Sequence, residues 1–192
     1  MAKNEIWLVR HGETAWSRSG QHTGWTDLAL EPEGEKQAIA LAPLLSQKKF
    51  AAVYSSPLMR ARRTCELAGL GERAQYLDDL REFNYGSIEG RTAADVRIEI
   101  PGWTVWTHEV PGGETLAGVY ERTENVIEQA LAVDGDVVVF AHGHLLRLLA
   151  VKYLGLPALA ARHLALSTAS ISVLGWEKET RVIRRWNLTD LS

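Results

Sequence analysis

The sequence predicts an α/β protein: a three-layer sandwich with a mostly parallel central sheet and helices on both faces. Three observations carry this expectation. Short apolar runs alternate with helix-length amphipathic segments along the first 154 residues, the pattern of strand–helix–strand units. The most apolar runs, Ile6-Trp7-Leu8-Val9 and Val137-Val138-Val139-Phe140-Ala141, are too short for helices and read as strands buried on both faces. Each of these runs stops abruptly at a basic or imidazole side chain, Arg10-His11 in one case and His142 in the other.

The first strand is expected at 5–9, opening into a loop that runs through Gly20 and Gly24. A helix follows from about Glu31-Pro32-Glu33, with proline in its first turn and acids matching the helix dipole. Its apolar positions Ala38, Leu41, Leu44 and Leu45 keep helical spacing across Pro43. A second strand at 51–55 leads through Ser56-Pro57 into a helix that carries Arg60, Arg63, Thr64 and Leu67 and ends at Gly69. A third strand is expected at 75–77. The stretch 78–113, rich in Gly, Trp and charge, predicts only short helices. A longer helix spans about 114–132, and the strand at 136–141 is followed by a buried helix at 145–154. Two runs, 171–176 and 182–186, flank Glu177-Lys178-Glu179-Thr180 and read as a terminal hairpin.

Size and composition narrow the class. The 192 residues suit one domain (1–192), with a lid-like insertion at about 80–115. At that length a core can bury roughly 70% of the unfolded surface, so no staples are needed. The single cysteine, Cys65, forbids an internal disulfide, fits a reducing compartment and reads as a core residue. The short polar start is no signal peptide, and no apolar run approaches the ~20 residues of a membrane span. A cytoplasmic location is therefore expected. The net charge of −3 invites neither nucleic acid nor a membrane surface, so an anionic ligand needs a local cationic site. Homo-oligomerisation is compatible with the sequence.

Such a site is predicted from topology. In open parallel sheets, ligands bind beyond the carboxyl ends of the strands. Arg10-His11, Ser55–Arg60 and His142-Gly143 all follow strand ends, so three segments deliver cationic groups to one edge. The segment Leu8-Val9-Arg10-His11-Gly12-Glu13-Thr14 resembles the signature of the histidine phosphatase superfamily, also called phosphoglycerate-mutase-like. Ser55-Ser56-Pro57-Leu58-Met59-Arg60-Ala61, Leu80-Arg81-Glu82-Phe83-Asn84-Tyr85-Gly86 and Phe140-Ala141-His142-Gly143 extend the resemblance in the same order over nearly the whole chain. It implies that His11 is the nucleophile, that Arg10, Arg60 and His142 bind the phosphoryl group, and that Glu82 donates the proton.

The chemistry of these residue types agrees. Phosphoryl transfer through a loose transition state asks mainly for positioning and positive charge. Arginine supplies permanent charge in a fork that fits two phosphate oxygens. Imidazole attacks phosphorus only when its nitrogen is unprotonated, and flanking guanidinium groups lower its pKa. Gly12 would let the backbone approach the ligand, and His142-Gly143 at a helix start would offer free N–H groups to an anion. Glu82 can act as the acid only if held protonated, for example by burial, and Glu89, Asp78 and Asp79 compete for that role.

Substrate-binding candidates are Ser17, Thr23, Gly24, Tyr85, Gly143, Trp103 and Trp106. Trp16, Trp25, Trp103 and Trp106, four of the seven tryptophans, fall in segments that read as loops, where Trp103 and Trp106 either wall a pocket against a sugar or pack beneath a lid. The turn Pro111-Gly112-Gly113-Glu114-Thr115 is a place for a second phosphate or for sugar hydroxyls. His22, His108 and His163 look like ordinary polar residues, whereas His144 either points into the site or forms a weak metal pair. No HxxxH, CxxC or carboxylate cluster predicts a metal, and no cofactor is implied.

The resemblance also separates two reactions. Position 17 is Ser where the cofactor-dependent mutases have Asn, and position 23 is Thr where they have Ser. Between Glu82 and His142 those mutases carry a longer basic insertion, whereas this chain offers only Arg91, Arg97 and Arg122. A mutase must exclude water to rephosphorylate its intermediate, so the shorter lid points to hydrolysis. The expectation is a metal-independent phosphatase of small acid phosphatase or sedoheptulose-bisphosphatase type, acting on a small phosphorylated metabolite. Its rivals are a 2,3-bisphosphoglycerate-dependent mutase and a non-catalytic phospholigand-binding module.

Overall fold

The structure, a computed structural model, describes residues 3–189. Six strands form one sheet: β1 (Ile6–Arg10), β2 (Ala52–Ser55), β3 (Ala74–Tyr76), β4 (Val137–Ala141), β5 (Ile171–Glu177) and β6 (Thr180–Leu188), in the order β3-β2-β4-β1-β5-β6. The pairs β2–β3, β2–β4 and β1–β4 are parallel, and the hairpin β5–β6 adds antiparallel strands beside β1. The expected three-layer, mostly parallel sandwich is what forms.

Period-two alternation divides the core. Val137, Val139 and Ala141 of β4 face one cluster with Ile6 and Leu8, while Val138 and Phe140 face another with Val9 and Val53. The first cluster is covered by α6 (Leu116–Ala132) and α7 (Gly143–Tyr153). The second is covered by α3 (Ala42–Ser46) and α4 (Met59–Leu67), with Cys65 fully buried in it as expected. α2 (Pro32–Ala40) packs beside α4.

Four local expectations need correction. The single helix expected across Pro43 is two, α2 and α3, broken at Leu41, because proline has no N–H to continue the ladder. The loop after β1 contains a short helix, α1 (Ala15–Ser19), so Trp16 is helical. A Thr14–Ser17 capping box starts α1, and Gly20 ends it with φ +78°. The helix expected from Ser56-Pro57 begins at Met59. The long helix expected from 114 begins at Leu116, capped by the Thr115 side chain.

The irregular stretch 78–113 holds α5 (Ala93–Glu99) and short 3₁₀ turns. Its side chains Phe83, Tyr85, Ile88, Val96, Trp103 and Val105 join the first core cluster. Among the described residues, no helix is long and apolar enough to cross a membrane.

Candidate active site

The register of the sheet builds the site. Arg10 pairs with Ala141 across β1 and β4, and the His11 N–H donates to the Ala141 carbonyl at 3.0 Å. The residues following the two strands, His11 and His142, therefore sit side by side with ring centroids 5.2 Å apart. The Ser56 N–H donates to the Phe140 carbonyl, which brings the end of β2 to the same edge. The glycine after His11 serves packing rather than ligand approach: a Cβ on Gly12 would lie 2.3 Å from the Gly34 carbonyl oxygen of α2.

His11 is buried, and its Nδ1 lies 2.7 Å from its neighbour's carbonyl oxygen, that of Gly12. That contact fixes Nδ1 as the protonated nitrogen and leaves Nε2 with a free lone pair. Burial first, then the Arg60 and Arg10 guanidinium groups, hold the His11 pKa well below the usual histidine range. The neighbouring cations act as the sequence predicts, but desolvation is the larger cause.

Arg60 and His142 form a buried scaffold. Arg60 is fully buried and donates from Nε to His142 Nδ1 (3.2 Å), from Nη1 to the Thr26 carbonyl, and from Nη2 to the Thr23 and Gly24 carbonyls. Since Nδ1 of His142 accepts, its Nε2 carries the proton and donates to Ser56 Oγ at 2.8 Å. Burial, Arg60 and His11 depress the His142 pKa well below normal, so it too stays neutral.

Glu82 is buried. Its Oε1 accepts the N–H groups of Phe83 and Leu145 (both 2.9 Å), and Oε2 accepts that of His144 (3.0 Å). The carboxyl thus occupies the N-terminus of α7, where free N–H groups were expected to meet a ligand. Oε2, with one donor, keeps a lone pair for a proton. Glu89 serves the backbone of Trp25 and Thr26 instead.

A cavity of about 190 Å³ opens onto these groups. Of the sequence candidates, Arg10, His11, Glu82, Ser17, Thr23, Tyr85 and Gly143 line it. Arg60 and His142 stand behind its wall. The Ser17 hydroxyl is occupied, accepting from the Thr14 N–H and donating to the Thr14 carbonyl. Three of the substrate-binding candidates lie outside the lining. Gly24 is a close-packing position, since a Cβ there would meet the Glu89 side chain and the Phe83 carbonyl oxygen. Trp103, 1% exposed, packs beneath His22 with ring centroids 5.2 Å apart. Trp106 packs on His144 and under the Arg147 guanidinium. The Pro111–Thr115 turn does not line the cavity either, because Glu114 is engaged with Arg122 and the Asn84 N–H.

The remaining lining is Gly20 and Gln21, in the loop expected after the first strand, His22, read as an ordinary polar residue, and Arg147 and Leu166, which escaped sequence reasoning; His144 points in. Arg147 had a signal, since it lies three and four residues beyond His144 and Gly143, on one face of a helix. His22, from a loop, had none. Among the described residues no three His, Cys, Asp or Glu side chains come together as a metal site.

A central sheet that delivers a neutral histidine, flanking arginines and a buried carboxylate to one edge defines a histidine phosphatase fold. The chain belongs to the histidine phosphatase superfamily (branch 1), whose model matches residues 6–189. It is 37% identical to an acid phosphatase of Mycobacterium tuberculosis over 97% of this chain and 93% of the relative. It is 34% identical to the sedoheptulose 1,7-bisphosphatase of Saccharomyces cerevisiae, over 78% of this chain and 67% of the relative. A probable phosphoglycerate mutase of Shigella boydii is 31% identical, over 95% of this chain and 89% of the relative. Among solved structures, the product of an open reading frame of M. tuberculosis superposes with a TM-score of 0.91 at 36% identity, covering 96% of this chain and 97% of that one.

Proposed function

We propose that this protein hydrolyses small phosphate monoesters through a phosphohistidine on His11, without a metal ion. The observation that carries this reading is the tautomer of His11: Nδ1 is committed to the Gly12 carbonyl, leaving an unprotonated Nε2 in the cavity wall beside Arg10. Arg10 is held by the Leu166 carbonyl, while its buried Nε has no hydrogen-bond partner among the described residues. An unpartnered buried donor is costly unless a ligand takes it, and a phosphoryl oxygen is suited to it.

In the first step His11 Nε2 bonds to phosphorus as the ester P–O bond breaks, and the leaving alkoxide takes a proton from Glu82. In the second step Glu82, now ionised, removes a proton from water as its oxygen attacks phosphorus and the N–P bond breaks. Phosphate leaves, and His11 and Glu82 return to their starting states. Relatives named as phosphatases support the hydrolytic outcome.

Arg147 supports a substrate class. It lines the cavity, anchored by the Ala161 and Arg162 carbonyls and stacked on Trp106 at 4.4 Å. Among the described residues it pairs with no carboxylate, and its Nη1 has no partner. A second anionic group on the substrate, as in a sugar bisphosphate or phosphorylated acid, would meet this cation.

The test is phosphate release in EDTA from fructose and sedoheptulose bisphosphates, 3-phosphoglycerate and p-nitrophenyl phosphate. EDTA-resistant release, with a phosphorylated His11 trapped by rapid acid quench and mass spectrometry, is expected. Interconversion of phosphoglycerates without net release would establish a mutase instead. No turnover of any ester would leave a binding module.

A further inference from the structure

The backbone that carries Glu82 is held from the far side by a bidentate ion pair. Arg122, on α6, donates from Nε to Glu114 Oε1 at 2.9 Å and from Nη2 to Glu114 Oε2 at 3.1 Å. Both partners are largely shielded, with side-chain exposures of 15% and 23%. The same guanidinium donates from Nη1 to the Asp79 carbonyl (2.6 Å) and from Nη2 to the Glu82 carbonyl (3.1 Å). Glu114 completes the grip by accepting the Asn84 N–H on Oε2 at 2.8 Å, while its own N–H donates to the Asn84 carbonyl. The clamp therefore touches the chain three residues before Glu82, at Glu82 and two residues after it. It does not touch the Glu82 carboxyl, which is held separately by the N-terminus of α7.

We infer that Glu114 and Arg122 are positioning residues for the proton donor, setting where the Glu82 carboxyl lies relative to His11. The inference rests on Glu82 being the acid of the proposed phosphatase. Proton transfer requires the donor within hydrogen-bond reach of the leaving oxygen, and a misplacement of about 1 Å costs much of its effect. Geometry explains the choice of residues. Only a planar fork can bind a carboxylate bidentately and still reach two carbonyls, and lysine's single ammonium cannot. Close approach of the two segments needs glycine at 113, where a Cβ would lie 2.3 Å from the Asn84 carbonyl oxygen.

A clamp of this kind leaves a signature in the leaving group. An alkyl alkoxide needs the proton from Glu82, whereas p-nitrophenolate leaves almost without it. The experiment measures kcat/KM, which reports the chemistry through transfer to His11, for p-nitrophenyl phosphate and for the alkyl ester of the panel that the wild type turns over fastest. The variants are Arg122→Gln, Glu114→Gln, the double variant, Arg122→Lys and Glu82→Gln. Each single change is expected to lower kcat/KM for the alkyl ester about tenfold or more, with less than about a threefold loss for the aryl ester. The double variant should lose no more than the worse single, and Arg122→Lys should recover part of the loss.

The ratio of the two esters is read on one enzyme preparation, so partial unfolding cannot imitate the result. Glu114→Gln, close to isosteric, keeps the test if Arg122→Gln does not fold. Equal losses for both esters in Arg122→Gln and Glu114→Gln, with discrimination retained in Glu82→Gln, would overturn this inference alone. Equal losses in Glu82→Gln would overturn the acid assignment and this inference with it.

Discussion

At the inner end of the cavity, where β1, β2 and β4 stop, side chains are bound to one another. At the outer end, among the described residues, Arg147 from the second turn of α7 and His22 from a loop hydrogen-bond to no side chain. Arg60 makes four hydrogen bonds to protein, and both nitrogens of His142 are engaged. Arg147 and His22 each anchor one side to backbone carbonyls and turn the rest to the cavity. The inner end is assembled before any ligand arrives, so ligand binding there costs little reorganisation. At the outer end a ligand supplies what is missing, and changes there alter which substrates fit. The proposed chemistry and the proposed selectivity thus fall to different ends of one cavity.

Several substitutions test that separation. The largest effect belongs to His11→Ala, which removes the nucleophile and should lower phosphate release at least about a thousandfold for every ester in the panel. Activity within a factor of ten of wild type would end the phosphohistidine reading. Arg60→Leu should cost about 3–5 kcal/mol in urea unfolding, because three carbonyls and His142 Nδ1 would lose a buried donor. A cost below about 1 kcal/mol would show that the inner scaffold is less fixed than its bonding suggests.

Protonation gives an intermediate effect. Burial holds His11, His142 and His144 well below the usual histidine range. Below the unfolded value, about 6.5, the unfolded chain gains protons that the folded chain refuses. Stability is therefore intact above pH 6.5 and falls as pH drops toward the folded values. Thermal melts should show Tm decreasing from pH 7 to pH 5, and less steeply in His144→Gln. The same depression keeps the His11 Nε2 unprotonated, so the acid limb of kcat/KM should lie below pH 6.5.

At the outer end, Arg147→Met should lower the ratio of kcat/KM for fructose 1,6-bisphosphate over p-nitrophenyl phosphate about tenfold, with little change in Tm. An unchanged ratio would remove the second anionic group from the substrate class. The smallest effect is expected of Ser17→Ala, about 1 kcal/mol, since its hydroxyl is engaged in the capping box of α1 although the residue lines the cavity.

The same division explains what the sequence made legible. Arg10, His11 and His142 stand where apolar runs end, and the end of a buried strand is a local event. The sandwich followed from the same runs. Pro43 also carried a local message, yet helical spacing on either side of it masked the break between α2 and α3. Arg147 and His22 owe their places to helix phase and to a loop folded over Trp103, neither of which leaves a mark at one position. Trp103 and Trp106 show the converse: their loop setting left a pocket wall and packing beneath neighbouring segments both open, and packing under His22 and under Arg147 is what forms. Ser56, whose hydroxyl accepts from His142 Nε2, is one of two adjacent serines with identical local signals, and only the fold tells them apart.

The seat of Glu82 has a consequence for what happens after the reaction. A free helix N-terminus beside the arginines would grip inorganic phosphate as tightly as it grips an ester. Here the chain's own carboxylate already takes the His144 and Leu145 N–H groups. Donors that would otherwise hold inorganic phosphate are spent on the chain itself, which favours release of product over its retention as an inhibitor.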